Sequence, residues 1–434
     1  MMTFTRRSLL CSAAAAIAVP RRSFAAPSVL RAEPVSLQVL PEGQSKTALW
    51  GFNGSSPGPE LRVGQGDTLA LRFENRTAQP SSVHWHGIRI KNAMDGVPGL
   101  TQPLVQPGET FDYSFRVPDA GTYWYHSHHQ SWEQVARGLY GPLIVDEIDP
   151  PKVDADITVT LDDWRLDENG ALMGGFGNMH DFSHAGRLGN YAMILPSQDS
   201  VRLGDRVRLR LINTATARVF PVRIEGLRAK VVALDGMPLA EPRDLSDVQL
   251  APAQRIDIIG DVVAQLNFLF VARDGLYDMG SLRVDGENSD PVTSAIAALP
   301  SPDVAKPEQT PHQSLSLRME GGAMGGRHAG DDIWSFNGVS GLTDTAFATF
   351  KMGETAVIDL INDTSFPHGI HLHGHHFHEL GPDGSLGDLR DTSLVERGAS
   401  QKIAVVFDNP GKWLLHCHML GHQASGMKTW VEVT

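Results

Sequence analysis

One pattern occurs three times along this chain, and it constrains the fold more than any other feature of the sequence. Each copy has a glycine turn with an acidic residue, then a run of alternating polar and apolar residues, then an asparagine. The copies are residues 63–75, 203–213 and 352–362. Alternation with a period of two is typical of a β-strand with one buried face. Copies separated by well over ~100 residues indicate duplicated domains, so we expect three related domains.

The length of the chain and its proline-rich linker-like stretches agree with three domains. At roughly 150 residues per domain, a chain of 434 residues suggests three domains. Asp149-Pro150-Pro151 and the proline-rich stretch 300–311 are typical of linkers. Helix-like periodicity is scarce. We therefore predict an all-β protein with domains at 34–150, 151–304 and 305–434.

The N-terminus has the features of an export signal. Thr5-Arg6-Arg7-Ser8-Leu9-Leu10 is similar to a twin-arginine motif. It leads into an apolar stretch too short to span a membrane, and then into a small-residue cleavage site. We predict that residues 1–25 are a signal peptide and that the mature protein is periplasmic; a disordered basic N-terminus is the alternative.

Charge and cysteine content exclude several classes of function. The formal net charge of −13 argues against nucleic acid and anionic membranes as partners, and no membrane insertion is expected after signal removal. Signal cleavage also removes Cys11, which leaves Cys417 as a single cysteine. A lone cysteine between two histidines is best interpreted as a metal-ligand thiolate.

Histidines are concentrated in four short segments. Any one pair could be two surface histidines on a strand, but all four together indicate metal binding. The last segment is followed by another histidine and a methionine. The candidate ligands are His84, His86, His126, His128, His368, His371, His373, His416, Cys417, His418, His422 and Met427.

The histidines follow the internal repeat. The spacing from Asp67 to His84 equals that from Glu354 to His371, and Gly108 precedes His126 as Gly398 precedes His416. At the same spacings the middle copy has aliphatic residues. The first and third domains would thus each carry half a site and dock against each other, with the second domain as a spacer.

Strand geometry divides these ligands into two sites. Alternate residues of a strand share a face, so each His-x-His pair aims two imidazoles in one direction. Cys417 would point away from His416 and His418. A set of histidine, cysteine and methionine is typical of an electron-transfer copper, and eight neutral imidazoles suit three coppers that bind oxygen. Zinc is the alternative metal, but it does not explain the thiolate.

These segments resemble those of the multicopper oxidases, a family that includes laccases, bilirubin oxidases and bacterial copper-efflux oxidases. The resemblance implies three cupredoxin-like Greek-key β-sandwich domains. It implies a type 1 copper on His368, Cys417, His422 and Met427, and a type 2 copper on His84 and His371. Two type 3 coppers would be held by His86, His126 and His418 and by His128, His373 and His416.

The resemblance also suggests groups that handle protons. Asp95 stands where bacterial relatives carry an acid near the oxygen-reducing copper centre, and it is the candidate proton-relay residue; a plain turn residue is the alternative. A second relay acid usually follows the last type 1 histidine. Here that position is Gln423, which cannot release and regain a proton. Glu133 or Asp391 could replace it, or water could.

The electron donor is expected to approach the type 1 copper through an exposed edge of His422 or His368. Asp363 is the candidate acceptor for a phenol proton; a loop-capping role is the alternative. Copper-efflux oxidases carry a long methionine-rich insert, whereas residues 318–328 are short and contain only Met319 and Met324. We therefore expect a laccase-like oxidase of phenolic or other aromatic donors, with dioxygen as acceptor and oxidation of cuprous ion as the alternative.

Three other classes fit less well. Copper-free relatives that act as periplasmic scaffold or division proteins lack the thiolate and several imidazoles, which this chain retains. A copper-storage protein would not consume oxygen with a phenolic donor. Two-domain nitrite reductases also join a thiolate copper to a histidine copper, but three repeats and paired His-x-His segments argue against them.

Overall fold

The computed structural model describes residues 28–323 and 333–434, and β-strands dominate this part of the chain. The predicted signal peptide, residues 1–25, lies outside the described residues. The all-β prediction is confirmed, and the molecule consists of three cupredoxin-like β-sandwich domains.

The first domain contains two sheets that pack face to face. Its elements are β1 (Val29–Leu37), β2 (Thr47–Phe52), β3 (Leu61–Gly64), β4 (Thr68–Asn75), β5 (Val83–His86), a 3₁₀ turn (Asn92–Met94), β6 (Thr110–Arg116), β7 (Gly121–Ser127), α1 (Ser131–Gln134) and β8 (Tyr140–Asp146). The sheets have the strand orders β2-β1-β4-β6 and β3-β8-β7-β5. Strand β4 shows why they form, since its residues are alternately exposed and buried as the sequence pattern requires.

The second domain is one connected sheet. Its elements are β9 (Ala155–Trp164), α2 (Met179–Ser183), β10 (Tyr191–Pro196), β11 (Ser200–Leu203), β12 (Arg206–Asn213), β13 (Phe220–Leu234), β14 (Met237–Asp244), β15 (Val248–Leu250), β16 (Arg255–Ala272) and β17 (Gly275–Glu287). The long strand β16 pairs with β12 through its first half and with β17 through its second half. This strand therefore joins the two layers of the domain.

The third domain returns to two sheets, with the strand orders β19-β18-β21-β26-β23-β24 and β20-β28-β27-β22-β25. The elements are β18 (Gln313–Gly321), β19 (Trp334–Phe336), β20 (Ala348–Phe350), β21 (Glu354–Asn362), β22 (His368–Leu372), β23 (Phe377–Leu380), β24 (Leu386–Arg390), β25 (Thr392–Val395), β26 (Ser400–Phe407), β27 (Gly411–Cys417), α3 (Leu420–Ala424) and β28 (Lys428–Val433).

The internal repeat is visible in the strand pairing. In each domain an opening strand pairs in parallel with the strand that carries the repeat, as in β1 with β4, β9 with β12, and β18 with β21. The repeated strand then pairs antiparallel with β6, β16 or β26. The three sequence copies thus occupy equivalent places in three related sheets.

The asparagine that ends each copy has one structural role. The side-chain amide of Asn75 donates to the carbonyls of Gln79 and Val105, at 2.8 and 2.9 Å. The amide of Asn213 donates to two carbonyls in the same way, and so does that of Asn362. Each buried amide satisfies backbone groups of a loop and of a distant segment, which stabilises the turn that follows the strand.

The first and third domains share a continuous apolar core. One cluster of buried side chains includes Phe73 and Trp85 from the first domain with Ile358 and Trp413 from the third. A separate cluster fills the second domain. A hydrogen bond also joins the first and third domains directly, since the Asn92 amide donates to the Lys412 carbonyl at 2.7 Å. The predicted docking of the two histidine-bearing domains is therefore present.

A buried carboxyl group joins the second domain to the first. Asp162 is almost fully buried, accepts a hydrogen bond from the Tyr140 hydroxyl, and lies beside Asp163. Burial and the neighbouring Asp163 charge raise the pKa of Asp162 to about 8. Because this pKa lies above that of an unfolded aspartate, the stabilisation is complete below about pH 4 and is lost as pH rises through about 8.

We therefore expect Asp162→Asn to remove part of the pH dependence of stability. Between pH 5 and pH 9 the wild-type protein should lose stability relative to the variant, by about 1.4 kcal/mol for each pH unit up to the folded pKa of about 8. Denaturant unfolding of both proteins across this range measures the effect. Parallel curves for the two proteins would show that folding does not raise the pKa of Asp162.

Candidate metal centre

Paired strands carry the histidines in both docked domains. In the first domain β5 pairs with β7, which places His84 opposite His126. In the third domain β22 pairs with β27, which places His371 opposite His416. The same register in two related sandwiches gives two similar clusters of imidazoles, and the domain interface brings them together.

Strand pleating separates the histidines from the residues between them. Trp85, between His84 and His86, packs in the core against Tyr113 and Phe115, with ring centroids 5.2 and 5.1 Å apart. The rings of His84 and His86 lie 5.7 Å apart on the opposite face. The same alternation turns Cys417 away from His416 and His418.

The imidazoles form three compact groups at the interface, and a fourth group contains the thiol. In each group the possible ligand atoms lie within 4.8 Å of one another. All of these side chains are buried. The groups are His84, His86 and His371; His86, His126 and His418; His128, His373 and His416; and His368, Cys417 and His422.

Backbone carbonyls determine which ring nitrogen is free in several of these histidines. A carbonyl can only accept, so the nitrogen that contacts it carries the proton. Nδ1 donates in this way from His84 to Asp95, from His371 to Asp391, from His126 to Ser127 and from His416 to Cys417, at 2.8, 2.9, 3.0 and 2.9 Å. Nε2 of each ring is left with a lone pair, the form that binds a metal.

The free nitrogens fit metal ions. Within the described residues, Nε2 of His84, His126 and His371 is buried without a hydrogen-bond partner, an arrangement that is costly unless another group satisfies the nitrogen. His373 Nε2 and His416 Nε2 face each other at 3.0 Å. A cation bound by these nitrogens would satisfy the unpartnered lone pairs and would also remove the repulsion between the two facing nitrogens.

Burial keeps seven of these imidazoles neutral. It holds the pKa of each of the seven well below the usual value, and neighbouring imidazoles lower several of them further. This applies to His86, His126, His128, His368, His373, His416 and His418. The rings are therefore available as ligands at neutral pH.

The group with sulfur has a geometry of its own. Cys417 Sγ lies 3.5 Å from His368 Nδ1 and 3.8 Å from His422 Nδ1, and the two nitrogens are 3.1 Å apart. Burial raises the pKa of the Cys417 thiol to about 12, so a thiolate here requires a bound cation. Met427 is fully buried, and its carbonyl accepts from the Cys417 backbone at 3.0 Å.

The prediction that His422 or His368 exposes a ring edge to a donor is wrong. His422 and His368 are both completely buried. Nε2 of His422 donates to the carbonyl of His184 at 2.6 Å, and Nε2 of His368 contacts the Thr364 hydroxyl at 2.8 Å. The segment around α2 of the second domain covers His422. This contact joins distant parts of the chain, and a local sequence pattern does not predict it.

Asp95 lies inside the site. It is buried, and its Oδ2 accepts a hydrogen bond from His373 Nδ1 at 2.9 Å while its carbonyl contacts His84. Its carboxylate thus joins a histidine of the third domain to the turn that follows β5. These contacts with two histidines of the cluster distinguish Asp95 from a turn residue at the surface.

The two substitutes for the second acid are placed differently. Asp391 lies in the site, with Oδ1 3.3 Å from His86 Nε2. Glu133 instead forms an ion pair with Arg137 at 2.7 Å on the first-domain surface. Gln423 is buried in α3.

The donor-side candidates have ordinary structural partners. Asp363 forms an ion pair with Arg318, and both side chains are 38% exposed. Met319 lies in the core of β18 and is not a surface ligand. Met324 lies outside the described residues.

Several neighbours of the site lie outside the proposed ligand set, and for two of them, His375 and His376, the sequence left open either support of the ligands through hydrogen bonds or plain packing. His375 and His376 are buried, and burial lowers the pKa of each to about 4. Thr364, Thr392 and Arg255 also contact the site or its carboxylates. Arg255 belongs to the second domain, where the loss of every imidazole had suggested only a spacer. Within the described residues, no helix is both long and apolar enough to cross a membrane.

Three family models match the chain, at residues 35–149, 156–296 and 309–434, and each is described as multicopper oxidase. Together they cover most of the chain and coincide with the three sandwiches. The match therefore extends over all three domains and is not limited to the histidine segments.

Individual proteins show the same similarity. The crystal structure of Lac15 from a marine microbial metagenome is 54% identical, with a TM-score of 0.83, covering 94% of this chain and 100% of that one. Multicopper oxidase MmcO of Mycobacterium tuberculosis is 29% identical, over 88% of this chain and 82% of its own length. Copper resistance protein A of Pseudomonas syringae pv. tomato is 27% identical, over 90% of each.

Proposed function

Because the chain belongs to the multicopper oxidase family, we propose that it couples one-electron oxidation of phenolic and other aromatic donors to the reduction of dioxygen to water. One observation carries this proposal. Ten buried histidines and one thiol, from opposite ends of the chain, form four groups of ligand size, and the sulfur stands between two histidines of the imidazole cluster.

The proposed assignment gives every member of these groups a role. A type 1 copper would be held by His368, Cys417, His422 and Met427. His84 and His371 would hold a type 2 copper. The two type 3 coppers would be held by His86, His126 and His418, and by His128, His373 and His416. The bound copper ions would supply one-electron transfer at the sulfur group and oxygen reduction at the imidazole cluster.

The chain's own residues supply the remaining requirements. Four donors each lose one electron, and one dioxygen gains four electrons and four protons to give two waters. The Cys417 side chain and backbone link the sulfur covalently to His416 and His418, the shortest connection between the two sites. Asp95 is the proposed proton relay, because its carboxylate contacts His373 within the cluster. Asp363 is the proposed acceptor for a phenol proton.

A second candidate, oxidation of cuprous ion, has one observation in its favour. Met179 is 66% exposed in α2, and His180 beside it is also exposed. This is the segment whose His184 carbonyl contacts His422. A thioether and an imidazole at that place suit a soft cation.

Oxygen consumption with a panel of donors tests the proposal. We expect phenols and aminophenols to drive uptake of one dioxygen per four donors oxidised, in protein that carries about four copper ions. Uptake driven by cuprous ion alone would replace the phenol proposal with the second candidate. Absence of uptake with every donor, or zinc in place of copper, would contradict both. We also propose that the protein is exported to the periplasm, with residues 1–25 as its signal.

A further inference from the structure

Two aspartates occupy matching positions on the two halves of the imidazole cluster. The Asp95 carbonyl accepts from His84 Nδ1 at 2.8 Å, and the Asp391 carbonyl accepts from His371 Nδ1 at 2.9 Å. His84 and His371 are equivalent in the repeat. Each aspartate therefore fixes the ring of a histidine in its own domain through its backbone.

Each aspartate also reaches the opposite domain with its side chain. Asp95 Oδ2 lies 2.9 Å from His373 Nδ1, and Asp391 Oδ1 lies 3.3 Å from His86 Nε2. The rings follow the same relation, since His84 stacks on His373 and His86 stacks on His371, with centroids 3.9 and 3.8 Å apart. The cluster thus has an approximate twofold arrangement with one carboxylate on each side.

A buried arginine breaks this symmetry. Arg255, at the start of β16 in the second domain, donates to both carboxylate oxygens of Asp391, at 3.0 and 2.6 Å. It also donates to the carbonyls of Thr122 in the first domain and Asp235 in the second, at 3.0 and 2.9 Å. Asp95 has no such cation among its contacts within the described residues.

The arginine and the aspartate are packed tightly beside the ligand strand. Gly87 follows His86, and a Cβ at this position would lie 2.3 Å from Arg255 Nη2 and 2.6 Å from Asp391 Oδ2. Gly87 also has a φ of +86°, which favours glycine. The chain after His86 therefore has only enough room for a glycine because the ion pair occupies the adjacent space.

We propose that Arg255, from the domain without copper ligands, is a positioning residue for the oxygen-reducing centre. Its planar fork holds the Asp391 carboxylate in one orientation, and Asp391 in turn orients His86 of the first domain and His371 of the third. The second domain is then part of the centre and not only a spacer. This inference rests on the proposed function, since it concerns the same centre.

An ion pair that only joins domains would predict something different. Arg208 offers the comparison, because it is also buried in the second domain and reaches Glu147 of the first domain and Asp257, at 2.7 and 2.6 Å. Within the described residues, Glu147 and Asp257 hydrogen-bond arginines and no histidine of the cluster, whereas the Asp391 bound by Arg255 contacts His86. Loss of either arginine should weaken domain packing, but only Arg255 should affect the imidazoles.

The experiment compares Arg255→Lys, Asp391→Asn and the control Arg208→Lys in copper-loaded protein. Lysine keeps the charge and loses the fork. We measure the rate at which a chelator removes type 2 and type 3 copper, and the electron paramagnetic resonance spectrum of the type 2 copper. Loss of a partner that orients a metal ligand typically weakens metal binding about 10- to 100-fold. We expect a loss of at least about tenfold in retention and an altered type 2 spectrum for Arg255→Lys and Asp391→Asn. The intense blue colour that a type 1 copper with a cysteine ligand would give should be kept in both variants.

Two results would overturn the inference. One is wild-type copper release and a wild-type type 2 spectrum in either Arg255→Lys or Asp391→Asn. The other is an equal loss of copper from Arg208→Lys, which would reduce Arg255 to general domain packing. If Arg255→Lys does not fold, Asp391→Asn decides the question alone. The copper content of the wild-type protein is measured first. A wild-type protein that does not bind type 2 or type 3 copper would refute the proposed function itself.

Discussion

Replacing Cys417 with serine is expected to abolish both the intense blue colour and donor oxidation, the largest effect of any single substitution in this protein. Sγ is the proposed soft ligand of its group, 3.5 Å from His368 Nδ1, and a hydroxyl neither ionises at that site nor binds copper comparably. It is also the atom through which the sulfur group is linked covalently to His416 and His418. Visible absorption, copper content and steady-state oxygen uptake measure the outcome, and we expect activity at background with one copper fewer per chain.

The repeat provides a matched control for this substitution. Ser127 stands between His126 and His128 as Cys417 stands between His416 and His418, but it hydrogen-bonds Gln134 at 2.5 Å and contacts Ser81 at 3.3 Å. Ser127→Ala should lower stability while colour and copper content stay as in the wild type. Survival of the blue colour in Cys417→Ser would refute the assignment of the sulfur group.

Asp95→Asn is expected to lower turnover about 100-fold and leave the blue colour intact. The amide has the same size and can still contact His373, but it cannot release and regain a proton. A positioned acid typically contributes about 10²- to 10⁴-fold to a proton-transfer step. The reduction of the blue chromophore by a donor without oxygen should proceed at the wild-type rate, whereas its reoxidation by dioxygen should be slow. Stopped-flow absorption separates these two half-reactions.

Asp119→Asn is a suitable control for Asp95. Asp119 is equally buried in the first domain, but its carboxylate pairs with Arg89 at 2.7 and 2.9 Å. Its loss should reduce stability without a selective effect on reoxidation. Equal rates of reoxidation in Asp95→Asn and the wild type would remove Asp95 from the proton route.

The grouping of the ligands could be predicted because it depends on short-range geometry. The alternation of a strand separates Cys417 from His416 and His418, and the equal spacings in the repeat assign one half-site to each of two domains. The all-β fold follows from the same alternation in residues 63–75 and its two copies. These features depend on neighbouring residues and on duplication, and both are visible in a single sequence.

Contacts between distant segments could not be predicted in this way. The alternating strand β12 would be expected to have one exposed face, but Arg208 and Arg210 on that face are buried by packing against the first domain. The cover over His422 comes from His184, in a different domain. Arg255 and Asp391 meet across 136 positions of sequence. Periodicity describes which face of an element is apolar, but not which other element covers it.

The position of the imidazole cluster on the seam between the first and last domains has a consequence for biogenesis. Its proposed ligands extend from His84 to His418, so a nascent chain would have no complete copper site until its last domain has folded and docked. Copper binding would then depend on correct assembly of the domains: a misfolded molecule would stay colourless, and a loaded one would resist separation of its first and third domains. The bound ions would then stabilise the interface between the first and third domains after both have folded. The apoprotein should therefore be more susceptible to proteolysis at this interface than the holoprotein.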